Sequence, residues 1–384
     1  MDGSTVLLVT VVATALAFDF TNGFHDTANA MATSIATGAL PPRIAVLISA
    51  VLNFAGAFLS LSVAATIANG IVDAGAITLS VVFAGLVGAI LWNLATWYLG
   101  IPSSSSHALI GGVVGATFLA AGAGAVKGQA IVAKVGIPAL LAPFAAAVVA
   151  GLGTYLAYWI TAPIDSGIRR RGFSIGQIGS ASLVSLAHGT NDAQKTMGVI
   201  TLALIANGTL GRGADPPVWV IVTCALAISL GTYFGGWRII RTLGKGLVEI
   251  QPPQGFAAEA ASASVILASS HFGYPLSTTH VVSGAVVGSG VGRRLAEVRW
   301  TVAARMATAW VVTLPSAAVA GALAWEATAA IGGTAGFLVV FGLLVAASLA
   351  FHVASRRAPV DHDNVNAEWT GHHPPAPRPT PVGV

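Results

Sequence analysis

Charge is what this sequence has least of. Only 8% of its 384 residues are Asp, Glu, Lys or Arg, against roughly a quarter in a soluble domain. With 55% hydrophobic residues and a mean hydropathy of +0.80, that scarcity excludes a soluble globular chain and defines an integral membrane protein. A net charge of +4 is too small to argue for a nucleic-acid partner. Cys224 is the only cysteine, so an intramolecular disulfide is impossible. No Lys or Arg precedes Arg43, whereas a secretory signal opens on basic residues; the apolar run STVLLVTVVATALAF therefore reads as membrane segment. The HExxH, GxSxG and Walker patterns are missing too, which argues against an intramembrane enzyme. No cofactor is expected. Glycine is abundant instead, with 45 residues, and predicts closely packed and broken helices.

At about 20 residues per span, the chain divides into about eleven membrane segments: 4–38, 43–68, 78–100, 103–122, 138–161, 176–207, 216–236, 256–273, 276–292, 300–325 and 332–354. The first reads as interrupted. The short, Gly-rich segments 103–122 and 276–292 read as re-entrant hairpins. Arg169–Arg171, Arg238 with Arg241 and Lys245, Arg293 with Arg294 and Arg299, and Arg356 with Arg357 form four basic clusters. An external N-terminus puts all four on the cytoplasmic side of a cell membrane and leaves Lys127, Lys134 and Arg212 outside. Residues 356–384 are polar and Pro-rich and read as a disordered tail, with histidines that would at most bind metal weakly.

The polar residues are concentrated in doubled motifs. DFTNGFHDTANAMATSIATG, residues 19–38, returns in part as AHGTNDAQKTMGVIT from Ala187, so that Gly23, Asp26 and Met31 fall on Gly189, Asp192 and Met197, 166 residues on. GIPSSSSHALIGG from Gly100 returns as GYPLSTTHVVSGA from Gly273, with Pro102, Ser104, His107 and Gly111 falling on Pro275, Ser277, His280 and Gly284, 173 residues on. Two motifs in one order at nearly one offset define an internal duplication: 1–165, then 170–335, then a final segment 336–355. Five crossings separate the Asp motifs, so the two copies point oppositely. The expected fold is an all-α polytopic membrane protein, an inverted-repeat transporter with discontinuous helices and Ser/Thr-rich helical hairpins.

Aspartates inside a membrane segment face a cavity or a partner. Asp26 and Asp192 are followed within one turn by Asn29 and Gln194, and carboxylate with amide oxygens suits a small hard cation or a proton. A bland alternative pairs Asp192 with Lys195 for packing alone. In PSSSSH and PLSTTH, proline opens a helix and hydroxyls follow. The free N–H groups and the dipole end there make an anion site, and two converging ends would cradle a tetrahedral oxyanion. His107 and His280, just beyond, read as hydrogen-bonding residues. Both site types belong together energetically, because an inside-negative potential opposes anion entry by about 2.3 kcal/mol per charge per 100 mV, so cations must travel with it.

GFHDTANA, GTNDAQKT and the paired PSSSSH and PLSTTH resemble the inorganic phosphate transporter (PiT) family, of the bacterial low-affinity permease type, over about residues 4–354. The resemblance implies a phosphate symporter, a homodimer in the lipid bilayer. It implies phosphate binding by Ser103, Ser104, Ser105, Ser106, Ser277, Thr278 and Thr279 with Gln194, and coupling of a cation by Asp26, Asn29, Asn191 and Asp192. Two departures from the sodium-coupled GANDVANA pattern, His25 for Asn and Lys195 at the position equivalent to Asn29, resemble bacterial proton-linked members, some of which take phosphate as a neutral metal–phosphate complex. His25 and Lys195 therefore join the coupling set. The alternatives are a sodium-coupled phosphate symporter and a sulfate permease of the same fold. A protonated phosphate can donate to Asp26 or Asp192, which sulfate at neutral pH cannot.

Overall fold

A computed structural model describes residues 3–73, 77–293 and 298–367. The chain is helical: α1 (Gly3–Thr37), α2 (Pro42–Gly56), α3 (Ser62–Gly70), α4 (Leu79–Leu99), α5 (Ser105–Ala121), α6 (Gly128–Ile131), α7 (Ile137–Ile160), α8 (Ser166–Ala206), α9 (Val218–Phe234), α10 (Trp237–Arg241), α11 (Pro252–His271), α12 (Thr278–Arg293), α13 (Trp300–Ile331) and α14 (Gly333–Ser355). Among the described residues, five helical stretches are long and apolar enough to cross a membrane alone: Gly3–Thr37, Leu79–Leu99, Gly128–Ile160, Trp300–Ile331 and Gly333–Ser355. Val218–Phe234 and Trp237–Gly246 are long and apolar enough only together, and are bent by 60° at the break between them. Large apolar side chains on α7, α13 and α14 point outward, among them Phe144, Val311 and Leu343, a surface suited to lipid.

Several expected segments need correction. Neither α1 nor α8 is interrupted at its Asp motif; both run through it unbroken. Their threonines bond back to carbonyls one turn earlier, as Thr14 does to Thr10 and Thr27 to Gly23, so polar residues there do not open the backbone. The breaks lie in the neighbouring helices. Segment 43–68 is two helices, separated at residues 57–61, and the span after α8 bends between α9 and α10. The predicted short segments are short: α5 has 17 residues and α12 has 16, about 25 Å against a hydrocarbon core of about 30 Å.

Matched parts of the two halves are built alike. α4 and α11 each stop at a left-handed glycine, Gly100 with φ 66° and Gly273 with φ 71°, a conformation glycine adopts without a Cβ penalty. A proline-containing turn follows, and then α5 or α12 begins with a serine cap: Ser104 accepts from the His107 N–H at 3.1 Å, Ser277 from that of His280 at 3.3 Å. The packing is crosswise: α5 lies on α13 and α12 on α7, α1 on α9 and α8 on α2. Glycines set these crossings. A Cβ at Gly23 would strike the Ile228 carbonyl of α9, and one at Gly189 the Asn53 carbonyl of α2. Small residues let membrane helices approach to backbone contact.

Thr37, at the end of α1, donates to Gln177 near the start of α8 at 2.8 Å. Midway, Asp26 faces His188. The two motif helices therefore run antiparallel. The basic clusters collect at one end of the bundle, Arg294 lying outside the described residues. Arg169 and Arg293 both stack on Tyr158. Arg170, Lys245 and Arg299 line one cavity of about 510 Å³ together with Thr37 and Asn366. Arg238 donates to the Ser355 and Ala358 carbonyls, beside Arg356 and Arg357. The tail does not leave the body at residue 356 as expected. Residues 356–367 fold back as turns with Val365 buried, Arg241 donating to the Asn364 carbonyl and Asn366 to the Ile35 carbonyl. An apolar anchor and arginine donors outweigh the local composition. Residues 368–384 of the predicted tail lie outside the described residues.

Candidate substrate and coupling site

The antiparallel crossing of α1 and α8 sets Asp26 and Asp192 against each other. The starts of α5 and α12 converge on them from either side. One oxygen of each aspartate and a ring nitrogen of His188 lie within 4.8 Å of one another, close enough for a single positive charge to serve both acids. His188 Nε2 is 3.1 Å from Asp192 and 3.9 Å from Asp26. Its Nδ1 meets the Asn53 side-chain oxygen at 2.6 Å, which fixes the ring.

The hydroxyl runs reach the acids in matched fashion. Ser105 donates to Asp26 at 3.3 Å and Thr278 to Asp192 at 3.3 Å. Thr279 donates to Asp26 at 3.5 Å. The residue three positions after each aspartate crosses to the other half's run. The Asn29 amide donates to Thr278 and Thr279 at 3.2 and 3.0 Å. Lys195 donates to Ser106 at 2.5 Å, to the Leu276 carbonyl at 2.8 Å and to Asp192. An ammonium with three donors and three oxygen partners is fully satisfied. It is also 1% exposed, which rules out a lysine snorkelling to the interface.

The remaining candidates lie around this centre. His25 pairs with Asp26 at 2.7 Å and meets Thr96 on α4 at 3.1 Å. Ser103 donates to Thr96 at 2.8 Å, placing it behind the acid rather than beside the other hydroxyls. Ser104 and Ser277 are committed to capping. Gln194 and Asn191 are not brought to the centre. The Gln194 oxygen accepts from the Val63 and Ala64 N–H groups at 2.9 and 3.3 Å and so holds the start of α3 beyond the break. The Asn191 amide donates to Ser270 at 2.8 Å and to the Tyr274 carbonyl. His107 and His280 meet edge to face with ring centroids 4.8 Å apart.

Sequence reasoning assigned no role to His188, Asn53 or Thr96. His188 stands in the quoted second motif but falls on Asn22 in the overlay, so the doubling that marked Asp192 drew attention away from it. Asn53 and Thr96 are single polar residues in apolar helices, with no spacing to reveal them. Asp26, Asp192, Lys195, Ser105, Ser106, Thr278 and Thr279 are all buried at 2% exposure or less. The centre is closed toward both ends of the bundle.

A sealed centre of hydroxyl-bearing helix starts, paired acids and one lysine, inside an apolar multi-pass bundle, is the architecture of a membrane transporter. The comparisons with known proteins make this specific. The phosphate transporter family (PHO4) matches residues 22–171 and 164–321. A Mycobacterium bovis protein described as "Probable low-affinity inorganic phosphate transporter" is 63% identical over 366 residues, covering 95% of this chain and 88% of that protein. A Bacillus subtilis protein of the same description is 45% identical over 331 residues, covering 85% and 98%. Among solved structures, "The sodium-dependent phosphate transporter" superposes with a TM-score of 0.75 at 23% identity, covering 83% of this chain and 98% of that one; at this identity the likeness is one of fold. The chain belongs to the phosphate transporter family, as a multi-pass protein of the cell membrane.

Proposed function

We propose that this chain imports inorganic phosphate by symport with protons, through two inverted copies of one helical repeat. Phosphate sits between the starts of α5 and α12, on Ser105, Ser106, Thr278 and Thr279, where free N–H groups and the helix dipoles favour an anion. Asp26 and Asp192 couple its movement to the cation. The antiparallel course of α1 and α8 and the crosswise packing support the inverted plan.

The observation that carries the choice of proton is Lys195. It joins Asp192 to Ser106 at the position equivalent to Asn29. A fixed ammonium there neutralises the acid and faces the anion run, the two tasks a bound sodium ion would perform. With that place filled by the protein, the mobile charge left to carry is a proton. All the candidate residues come from one chain, so the implied homodimer pairs two complete sites.

The test is radiolabelled phosphate uptake by the purified chain in proteoliposomes, with an imposed pH gradient, with and without sodium, and with sulfate as competitor. Accumulation driven by the pH gradient in sodium-free buffer, resistant to sulfate, is expected. Accumulation only with sodium contradicts proton coupling, and equal competition by sulfate contradicts phosphate selectivity. Repeating the assay with and without a divalent cation decides between free phosphate and a metal–phosphate complex.

A further inference from the structure

Among the described residues four acids are buried in the helical body: Asp19, Asp26, Asp192 and Glu259. Three have partners. Asp26 and Asp192 hold the histidines, hydroxyls and lysine of the central site. Glu259 accepts from Thr33 at 2.5 Å, Ser180 at 2.6 Å and Gln177 at 3.1 Å, the pattern of a structural buried carboxylate whose lone pairs are met by fixed donors. Asp19 is different. It is 0% exposed, yet neither carboxylate oxygen has a hydrogen-bond partner.

Its surroundings repeat the deficit. Asn22, one turn along α1, has an unpartnered buried side-chain oxygen. The Thr196 hydroxyl of α8 faces Asp19 and has no other partner. Phe18 and Ala15 of α1, Met197 of α8 and Ile228 of α9 are buried in the same core. The titratable and charged groups that act on Asp19 are Asp192, His188 and Lys195 of α8 and the thiol of Cys224 on α9. None donates a hydrogen bond to it.

A carboxylate in that setting has the Thr196 hydroxyl as its one neighbouring donor and leaves further acceptors on itself and on Asn22 unmet. A carboxylic acid changes the count. Its O–H adds the donor that the cluster lacks, one turn from the Asn22 oxygen on the same helix, while the Thr196 O–H serves its carbonyl oxygen. One proton therefore completes the hydrogen bonding of three groups that lack it. Asp19 is also placed for transport. It lies seven residues before Asp26 on an unbroken helix, about 10 Å along the axis, on the side away from the basic end where α1 terminates.

We propose that Asp19, with Asn22 and Thr196, is a further proton-binding site, separate from the Asp26–Asp192 pair, that carries a proton moved together with phosphate. This rests on the proton-symport reading above. The step is a simple transfer. When the bundle opens on the first side, water gives a proton and the O–H bond forms on Asp19. In the closed centre the acid is neutral. When the bundle opens on the second side, the O–H bond breaks, the proton leaves to water, and the carboxylate stays in contact with that water until it is protonated again.

The experiment measures protons taken up per phosphate, with a pH dye inside proteoliposomes holding the full chain. D19N and D19E are compared with wild type, and infrared spectra of the same preparations are recorded for the C=O band of a protonated carboxylic acid. The expected result is a ratio lowered by about one proton in D19N and unchanged in D19E, with a protonated-acid band of wild type missing from D19N. A wild-type ratio in D19N, or a wild-type infrared band persisting in D19N, overturns the proposal while leaving proton symport standing. Uptake without proton movement in the wild-type chain overturns both. Should D19N fail to fold, D19E decides: a protonated-acid band shifted from its wild-type position supports the site, and an unshifted band overturns it.

Discussion

Asp26 and Asp192 occupy matched places on two antiparallel helices, and each accepts a 3.3 Å hydrogen bond from the run that starts α5 or α12. Beyond that scaffold they differ. Asp26 is flanked by a histidine and an amide, His25 and Asn29, and has no fixed ammonium. Asp192 has Lys195 bound to it and linked onward to Ser106. Where the first half has an amide, Asn29, the second has a lysine, Lys195. Matched places thus hold different charges: Asp192 has a fixed ammonium beside it, and on the proposed symport Asp26 is compensated by what is transported.

The strongest test of that contrast removes each acid in turn. Asp192→Asn leaves the Lys195 ammonium buried without its counter-charge, which should destabilise the protein by about 3–5 kcal/mol. Asp26→Asn leaves only hydroxyls and His25 to re-pair and should cost about 1 kcal/mol. Both variants should lose accumulative uptake. Thermal unfolding in detergent should therefore rank Asp192→Asn far below Asp26→Asn, and the double variant Asp192→Asn/Lys195→Asn should recover most of the loss. Equal destabilisation by the two single variants would erase the proposed asymmetry.

Next in size are the hydroxyls, where the halves should behave alike. Ser105→Ala and Thr278→Ala should each weaken phosphate binding by roughly 1.5–3 kcal/mol, about tenfold or more in apparent KM, with membrane insertion unchanged. A large effect in one and none in the other would show that the anion rests on a single helix start. The smallest expected effect is that of Thr96→Val, which removes the partner of His25 Nε2. Uptake should fall severalfold, in line with one hydrogen bond of about 1 kcal/mol, and Ser269→Ala, at the matching place on α11, should have no effect, because Ser269 donates to the Ile266 carbonyl and Asn191, in place of His25, turns to Ser270.

Much of this was legible in the sequence, because doubling is a pattern and patterns survive without coordinates. The Asp motifs, the proline–hydroxyl runs and the short segments that follow them were all readable from matched offsets. The course of the backbone was harder. Polar residues in DFTNGFHD suggested an interrupted helix, yet the backbone of α1 stays intact, its threonine hydroxyls bonding back within the helix, and the breaks fall in the helices beside it. Gln194 read as a cation ligand because it follows Asp192 closely, and the family resemblance implied it near phosphate; the broken neighbour captures it through the Val63 and Ala64 N–H groups. His188, Asn53, Thr96 and Asp19 act through three-dimensional proximity alone. Their roles depend on which helices cross where, and glycines such as Gly23 and Gly189 set those crossings without marking which polar side chains they bring together.

The central claim is that Lys195 stands in for a soluble cation. Lys195→Asn restores in the second half the amide that the first half carries, and phosphate uptake by this variant with and without sodium tests the claim most directly. The account predicts that wild type is indifferent to sodium, while Lys195→Asn loses uptake in sodium-free buffer and regains part of it when sodium is added. Sodium-independent uptake at the wild-type rate in Lys195→Asn would contradict it and leave the lysine a packing residue.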